Sequence, residues 1–179
     1  MSAVLHRPRL TVPVTGRDHT IGPETAPVVL LEYGDYECPF CGAAHHSLKQ
    51  LLHTVGDEVL YAFRHFPLTQ IHLHAQQAAE AAEAAGAQER FWQMHNMLFD
   101  HQERLGADQL LGYAEVLGLD VERFASDLST HRYAPRVRED FLTGVRSGVN
   151  GTPTFFVNGI RHNGGYDTES LLTAIEAAV

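Results

Sequence analysis

Cys38 and Cys41 are the only cysteines of the chain, and Pro39 and Phe40 stand between them. A pair at this spacing either cycles between dithiol and disulfide or ligates a metal. In disulfide exchange the thiolate is the nucleophile, so reactivity depends on what stabilises S⁻. Pro39 is suited to the first position of a helix, because its missing N–H would find no partner there and its φ is already helical. Cys38 then falls at or near the N-cap. The amides of Phe40 and Cys41 and the helix dipole favour negative charge on its sulfur. Cys41, one turn further in, is expected to be buried. These positions assign attack to Cys38 and resolution of the mixed disulfide to Cys41.

Three acids bear on that chemistry. Asp35 and Glu37 are read as exposed carboxylates, screened by water and salt, that oppose the thiolate less than the helix favours it. Glu32 ends an otherwise apolar run, VVLLE. Buried there, it would hold a proton near neutral pH and relay it; exposed, it is a strand-end carboxylate. Spacing leaves both open. The rival chemistry is a zinc site from Cys38, Cys41 and His45, which share a helix face at i, i+3 and i+7. Structural zinc wants four ligands, and no second paired-ligand motif follows, so no metal is expected. His45 and His46 are read as an exposed helix face, and His65, His72 and His74 as solvated loop residues. His95, among aromatic positions, reads as a satisfied core histidine.

The elements that position the pair follow from pattern. PVVLLEYGD is a continuous, β-branched apolar run, expected as a buried central strand over Val28 to Tyr33. The helix from Pro39 places Ala44, Leu48, Leu51, Leu52 and Val55 on one stripe and ends at Gly56. EVLYAFRHFPL is a second strand, parallel to the first across a strand–helix–strand unit. TVPV, near the start, is a possible edge strand. From Ile71 to Ser147 the pattern is helical, with Phe91, Trp92 and Phe99 as core of that block and RYAPRVRED as a solvated helix face. Phe63, Phe66 and Phe155 are assigned to the core of the sheet. TPTFFVNGIRHNG forms a hairpin about Asn158-Gly159, and a last helix starts at Asp167.

The chain has 179 residues, 44% hydrophobic and 20% charged, enough for one substantial core. Its net charge of −9 argues against nucleic acid, which needs clustered Lys and Arg. No apolar run approaches the roughly 18 residues of a membrane span. The opening MSAVLHRPRLTVPV holds no continuous apolar segment of about 7–15 residues, as a secretory signal would. The expectation is a cytoplasmic chain. No glycine-rich phosphate loop follows a strand, so no cofactor is expected.

With these residues in view, the chain resembles the DsbA-like branch of the thioredoxin superfamily from about Gly22 onward. The resemblance rests on CPFC after VVLLEYGDYE, on the interposed helices, and on GVNGTPTFFVNG before the last strand and helix. It implies an α/β thioredoxin-like fold with an inserted all-helical subdomain. The implied division is an N-terminal arm at 1–10, a thioredoxin-like domain at 11–70 and 148–179, and the insertion at 71–147. It also implies a redox-active disulfide of Cys38 and Cys41, a cis Thr152–Pro153 bond beside the sulfurs, and a buried proton-carrying acid at Glu32. Thr152, Pro39 and Phe40 would contact the substrate, Thr152 through strand-like backbone hydrogen bonds.

The activity implied is thiol–disulfide exchange with protein, peptide or small-thiol substrates, recycled by a further redox partner. The best-known exported oxidases carry histidine where this chain has Phe40. A phenyl ring cannot hydrogen-bond the thiolate, which predicts a weaker oxidant, that is, a reductase or general exchanger. A non-catalytic peptide-binding or chaperone module on the same scaffold would need neither cysteine.

Overall fold

A computed structural model describes residues 8–179. Strand β1 (His19–Ile21) is followed by β2 (Val28–Gly34), helix α1 (Pro39–Val55), a 3-10 turn (Gly56–Glu58) and β3 (Val59–His65). Five helices come next: α2 (Ala75–Gly86), α3 (Phe91–Asp100), α4 (Ala107–Val116), α5 (Val121–Ser129) and α6 (Ala134–Arg146). Strands β4 (Thr154–Val157) and β5 (Ile160–Arg161) and helix α7 (Thr168–Glu176) close the chain. The sheet order is β1-β3-β2-β4-β5. β2 and β3 are parallel, as expected of strands joined by a crossover through α1. The other pairings are antiparallel. The expected α/β thioredoxin-like fold is the one observed.

Alternation along the strands divides the core. Val28, Leu30, Tyr61, Phe63, Phe155 and Val157 face α1, together with Cys41, Leu48 and Leu51 from that helix. Leu31, Tyr33, Ala62 and Phe156 face the other way, toward Phe66 and Val149. Glu32 is in step with Leu30, so its carboxylate points to the α1 side of the sheet. Phe91 and Phe99 do not form a separate helical core but join the cluster that contains the α1 face of the sheet. Alanine makes that continuity possible. Seven alanines of α2, from Ala75 to Ala85, are buried, and their small side chains let neighbouring helices approach closely.

TVPV forms no strand; the antiparallel edge strand is His19–Ile21 instead. Pro13 has no N–H to give a ladder, and the carbonyls of Val12 and Pro13 accept from the Arg64 guanidinium at 2.9 and 3.0 Å. Residues 1–7 of the expected N-terminal arm lie outside the described residues. Pro8 to Leu10 run along β5, with Arg161 N donating to Pro8 O and Leu10 N to Gly159 O. The β4–β5 turn is the expected one: Asn158 and Gly159 both take positive φ, at 46° and 76°.

RYAPRVRED is only partly a solvated face. Arg136 reaches Asp140 at 3.2 Å, and Asp140, 2% exposed, accepts from His65 N.

Candidate functional site

The site lies where the C-terminal end of β2 hands over to α1. Cys38 is the N-cap of α1, with extended φ and ψ, and Pro39 takes the first helical position. Cys38 N donates to Asp35 O at 3.2 Å, and the Cys38 carbonyl accepts the first helical bond from Gly42 N at 3.1 Å. Both cysteines are buried and free of a disulfide. The loop before β4 closes over them. The Thr152–Pro153 bond is cis, as the resemblance implied, and the Cys38 thiol lies 3.5 Å from Thr152 O. Thr152 Oγ1 is buried without a partner of its own, so its proton is available to the sulfurs.

The two thiols are polarised in opposite senses. Cys38 is brought down from 9.0 to about 5, first by the hydrogen bond from the Cys41 thiol. Burial works against that shift, while Thr152 and the amides of Cys41 and Phe40 add to it. The helix terminus thus contributes in the expected direction but is not the largest cause. Cys41 is pushed well up, by burial, by its hydrogen bond to Cys38 and by the charge of Glu32. One sulfur is therefore anionic at neutral pH and its neighbour keeps its proton.

Glu32 is 1% exposed, so it is buried and not a strand-end surface carboxylate. Burial raises its carboxyl from 4.5 to about 8, with the Tyr61 hydrogen bond opposing and the Cys38 charge assisting. Tyr61 donates to Glu32 Oε2 at 2.6 Å, while Oε1 is buried and unpartnered. Glu32 and the two sulfurs are close enough for each charge to shift the others. Sequence reasoning missed Tyr61. Its signal is the parallel register, which sets Leu30 opposite Tyr61 and Glu32 opposite Phe63 on one face.

Asp35 is not an exposed carboxylate. It is 2% exposed and acts as a post for the turn: Oδ1 accepts from Glu37 N at 2.8 Å, and Oδ2 accepts from Leu68 N at 2.9 Å. His72 Nδ1 joins Oδ2 at 2.7 Å. Glu37 is half-buried and takes His74 N at 2.7 Å and His74 Nδ1 at 2.9 Å. The segment before α2 is thereby pinned beside Cys38, which leaves Phe40, Ile71 and Leu73 exposed near the cysteine turn at 61%, 71% and 84%.

His45 and His65 depart from expectation. His45 is buried, stacked on Phe99 with ring centroids 4.8 Å apart, and burial lowers its imidazole to about 4. It sits one turn beyond Cys41 on the stripe that faces α3, so Phe99 covers it. It does not join the cysteines: among the described residues the cluster that could hold a metal is His65, Glu83 and Asp140. Zinc binding by Cys38, Cys41 and His45 is thus not supported by geometry. His65 is a buried residue of β3, not a loop histidine, and its Nε2 meets Glu83 at 2.8 Å. His46 and His74 are exposed as expected. His95 is the satisfied core histidine expected, its Nδ1 2.9 Å from Tyr36 Oη.

The thioredoxin family model matches residues 14–177. Among solved structures, oxidised BdbD from Bacillus subtilis superposes with a TM-score of 0.83 at 22% identity, covering 96% of this chain and 95% of that one. Alpha-DsbA1 from Wolbachia pipientis superposes at 0.79 with 20% identity, covering 94% of each chain. At these identities the likeness is one of fold. Among curated relatives, the Na(+)/H(+) antiporter NhaA 1 of Salinispora arenicola is 52% identical over 170 residues, which are 94% of this chain and 26% of that protein. The chain spans about a quarter of the length of the curated relatives it matches. No described helix is long and apolar enough to cross a membrane.

Proposed function

We propose that this chain, which belongs to the thioredoxin family in its DsbA-like branch, is a thiol–disulfide oxidoreductase working through Cys38 and Cys41. What carries the reading is the pair itself: Cys38 at the N-cap position of α1, its thiol lowered to about 5, beside the buried Cys41 thiol, which is pushed well up. The Cys38 thiolate attacks one sulfur of a substrate disulfide and expels the other as a thiolate. In the mixed disulfide the Cys38 charge that helps to raise Glu32 is gone, and the ionised form of Glu32 takes the Cys41 proton as Cys41 attacks Cys38 Sγ and expels the second substrate thiolate. Two electrons pass to the substrate, and the chain is left with the Cys38–Cys41 disulfide. In the reverse direction Glu32 returns the proton, and a dithiol partner recycles the pair.

Glu32 fits the relay because its carboxyl titrates near 8, so it exchanges a proton close to neutral pH. Exposed Phe40, Ile71 and Leu73 offer apolar surface for a protein or peptide substrate. The Thr152 backbone would pair with that substrate, a role supported by its position 3.5 Å from the Cys38 sulfur and next to Pro153.

A stabilised thiolate is a poorer attacking group but a better leaving group. From 9.0 to about 5, the thiolate fraction at pH 7 rises about a hundredfold. With a Brønsted coefficient of about 0.45, the intrinsic nucleophilicity falls about sixtyfold. The two nearly cancel, so the gain lies in departure of Cys38 from disulfides. The titration midpoint lies between the roughly 7 of thioredoxin and 3.5 of DsbA. That favours a general exchanger or reductase with a potential between about −270 and −120 mV, and a value near −120 mV would overturn it.

On this reading the chain works in the cytoplasm. On the same reading, the part of this chain that matches about a quarter of the antiporters' length is a thiol-exchange module. An insulin-reduction assay tests the activity. Wild type should be active and Cys38→Ala inactive; full activity in Cys38→Ala would make peptide binding the better account.

A further inference from the structure

Two residues not used by the thiol chemistry converge on the turn that holds Cys38. Gln102, after α3, donates through Nε2 to the carbonyls of Tyr36 and Cys38, both at 2.8 Å. One amide thus ties both ends of the turn to the helical block. Gly42, in the first turns of α1, is the second. A Cβ placed there would fall inside the contact radius of Gln102 Oε1, with Gln102 Cδ at 2.8 Å. Alanine is the better helix former, so α1 gives up propensity at the position where a methyl group would evict this amide.

We propose that Gln102 is a positioning residue for thiol exchange: it holds the Tyr36–Cys38 turn so that the reduced Cys38 sulfur stays over the amides that open α1. The inference rests on the thiol-exchange reading above. In the disulfide, the bond to Cys41 fixes Cys38 by itself. In the dithiol no covalent bond does so, and the clamp acts on the reduced form. Its removal therefore destabilises the thiolate relative to both the thiol and the disulfide, and the pair becomes more reducing. A merely structural role would lower the stability of both forms together and leave those ratios unchanged.

The test is thiolate absorbance against pH, with a glutathione redox titration, on wild type, Gln102→Ala, Gly42→Ala and the double variant. Gln102→Ala should raise the Cys38 midpoint by about 0.5–1 unit. It should shift the redox equilibrium about five- to tenfold toward the disulfide, or roughly 20–30 mV, the size expected from one or two hydrogen bonds to the turn. Gly42→Ala should reproduce both shifts by displacing the amide. In the double variant the effects should not add, because the methyl group then enters vacated space. Should Gln102→Ala fail to fold, Gly42→Ala alone reads the same two shifts. Variants that cycle with midpoint and equilibrium within twofold of wild type overturn the inference, as do additive effects in the double variant. A wild type that cannot cycle overturns the thiol-exchange reading instead.

Discussion

Replacing Glu32 by glutamine removes a titration while keeping the shape of the side chain and an oxygen to accept from Tyr61. The Glu32 carboxyl titrates at 4.5 when exposed and at about 8 in the fold. Between those values the unfolded chain has lost a proton that the folded chain keeps. Stability therefore falls as pH rises through that window, and is greatest below the unfolded value. The gap of about 3.5 units corresponds to a loss of about 5 kcal/mol above pH 8, and of about 3 kcal/mol at pH 7. Glu32→Gln does not suffer this loss. It should match wild type within about 1 kcal/mol at pH 5 and exceed it by about 3 kcal/mol at pH 7. Guanidinium unfolding of the reduced proteins reads the difference, since a slope of roughly 4 kcal/mol/M turns 3 kcal/mol into about 0.7 M in midpoint. The Cys38 charge helps to raise Glu32, so the gap should be smaller in the disulfide form. Coincident midpoints from pH 5 to 8.5, or a glutamine variant less stable at pH 8, would refute the buried-acid reasoning.

Asp35→Ala leaves Leu68 N and His72 without their acceptor beside the cysteine turn. It should lower stability by about 2–4 kcal/mol in urea unfolding, and a cost below about 0.5 kcal/mol would show that the post bears no load. His45, held near 4 against 6.5 when exposed, must charge as acid unfolds the chain. Its contribution is complete above pH 6.5 and is lost as pH falls toward 4, by up to about 3 kcal/mol. His45→Phe should flatten that part of the pH–stability curve, and an unchanged slope between pH 6.5 and 4 would contradict the burial argument.

What the sequence made legible was local. Pro39 and the spacing of Ala44, Leu48, Leu51 and Val55 lie within one helix, so α1 and the N-cap place of Cys38 could be read directly. Asp35 could not, because Leu68 and His72, which satisfy it, arrive from a distant segment and a loop carboxylate otherwise belongs in water. His45 counts as polar in any hydrophobic pattern, and Phe99, which covers it, comes from another helix. Glu32 shows both limits. Its position six residues before Cys38 is visible, but its burial depends on which face of β2 meets α1. Tyr61 becomes its partner only once the register with β3 is set. The strand at TVPV failed for a different reason, as the pattern of apolar residues ignored the demand of Arg64 for carbonyl acceptors.

The most direct measurement is a pH titration of thiolate absorbance on the reduced chain, with a redox-buffer titration of the same sample. One sulfur should ionise near pH 5 while the other keeps its proton well above neutrality, and the pair should close and open in a single reversible two-electron transition. A sample in which both sulfurs ionise near 9, or in which no Cys38–Cys41 disulfide forms, would contradict the account.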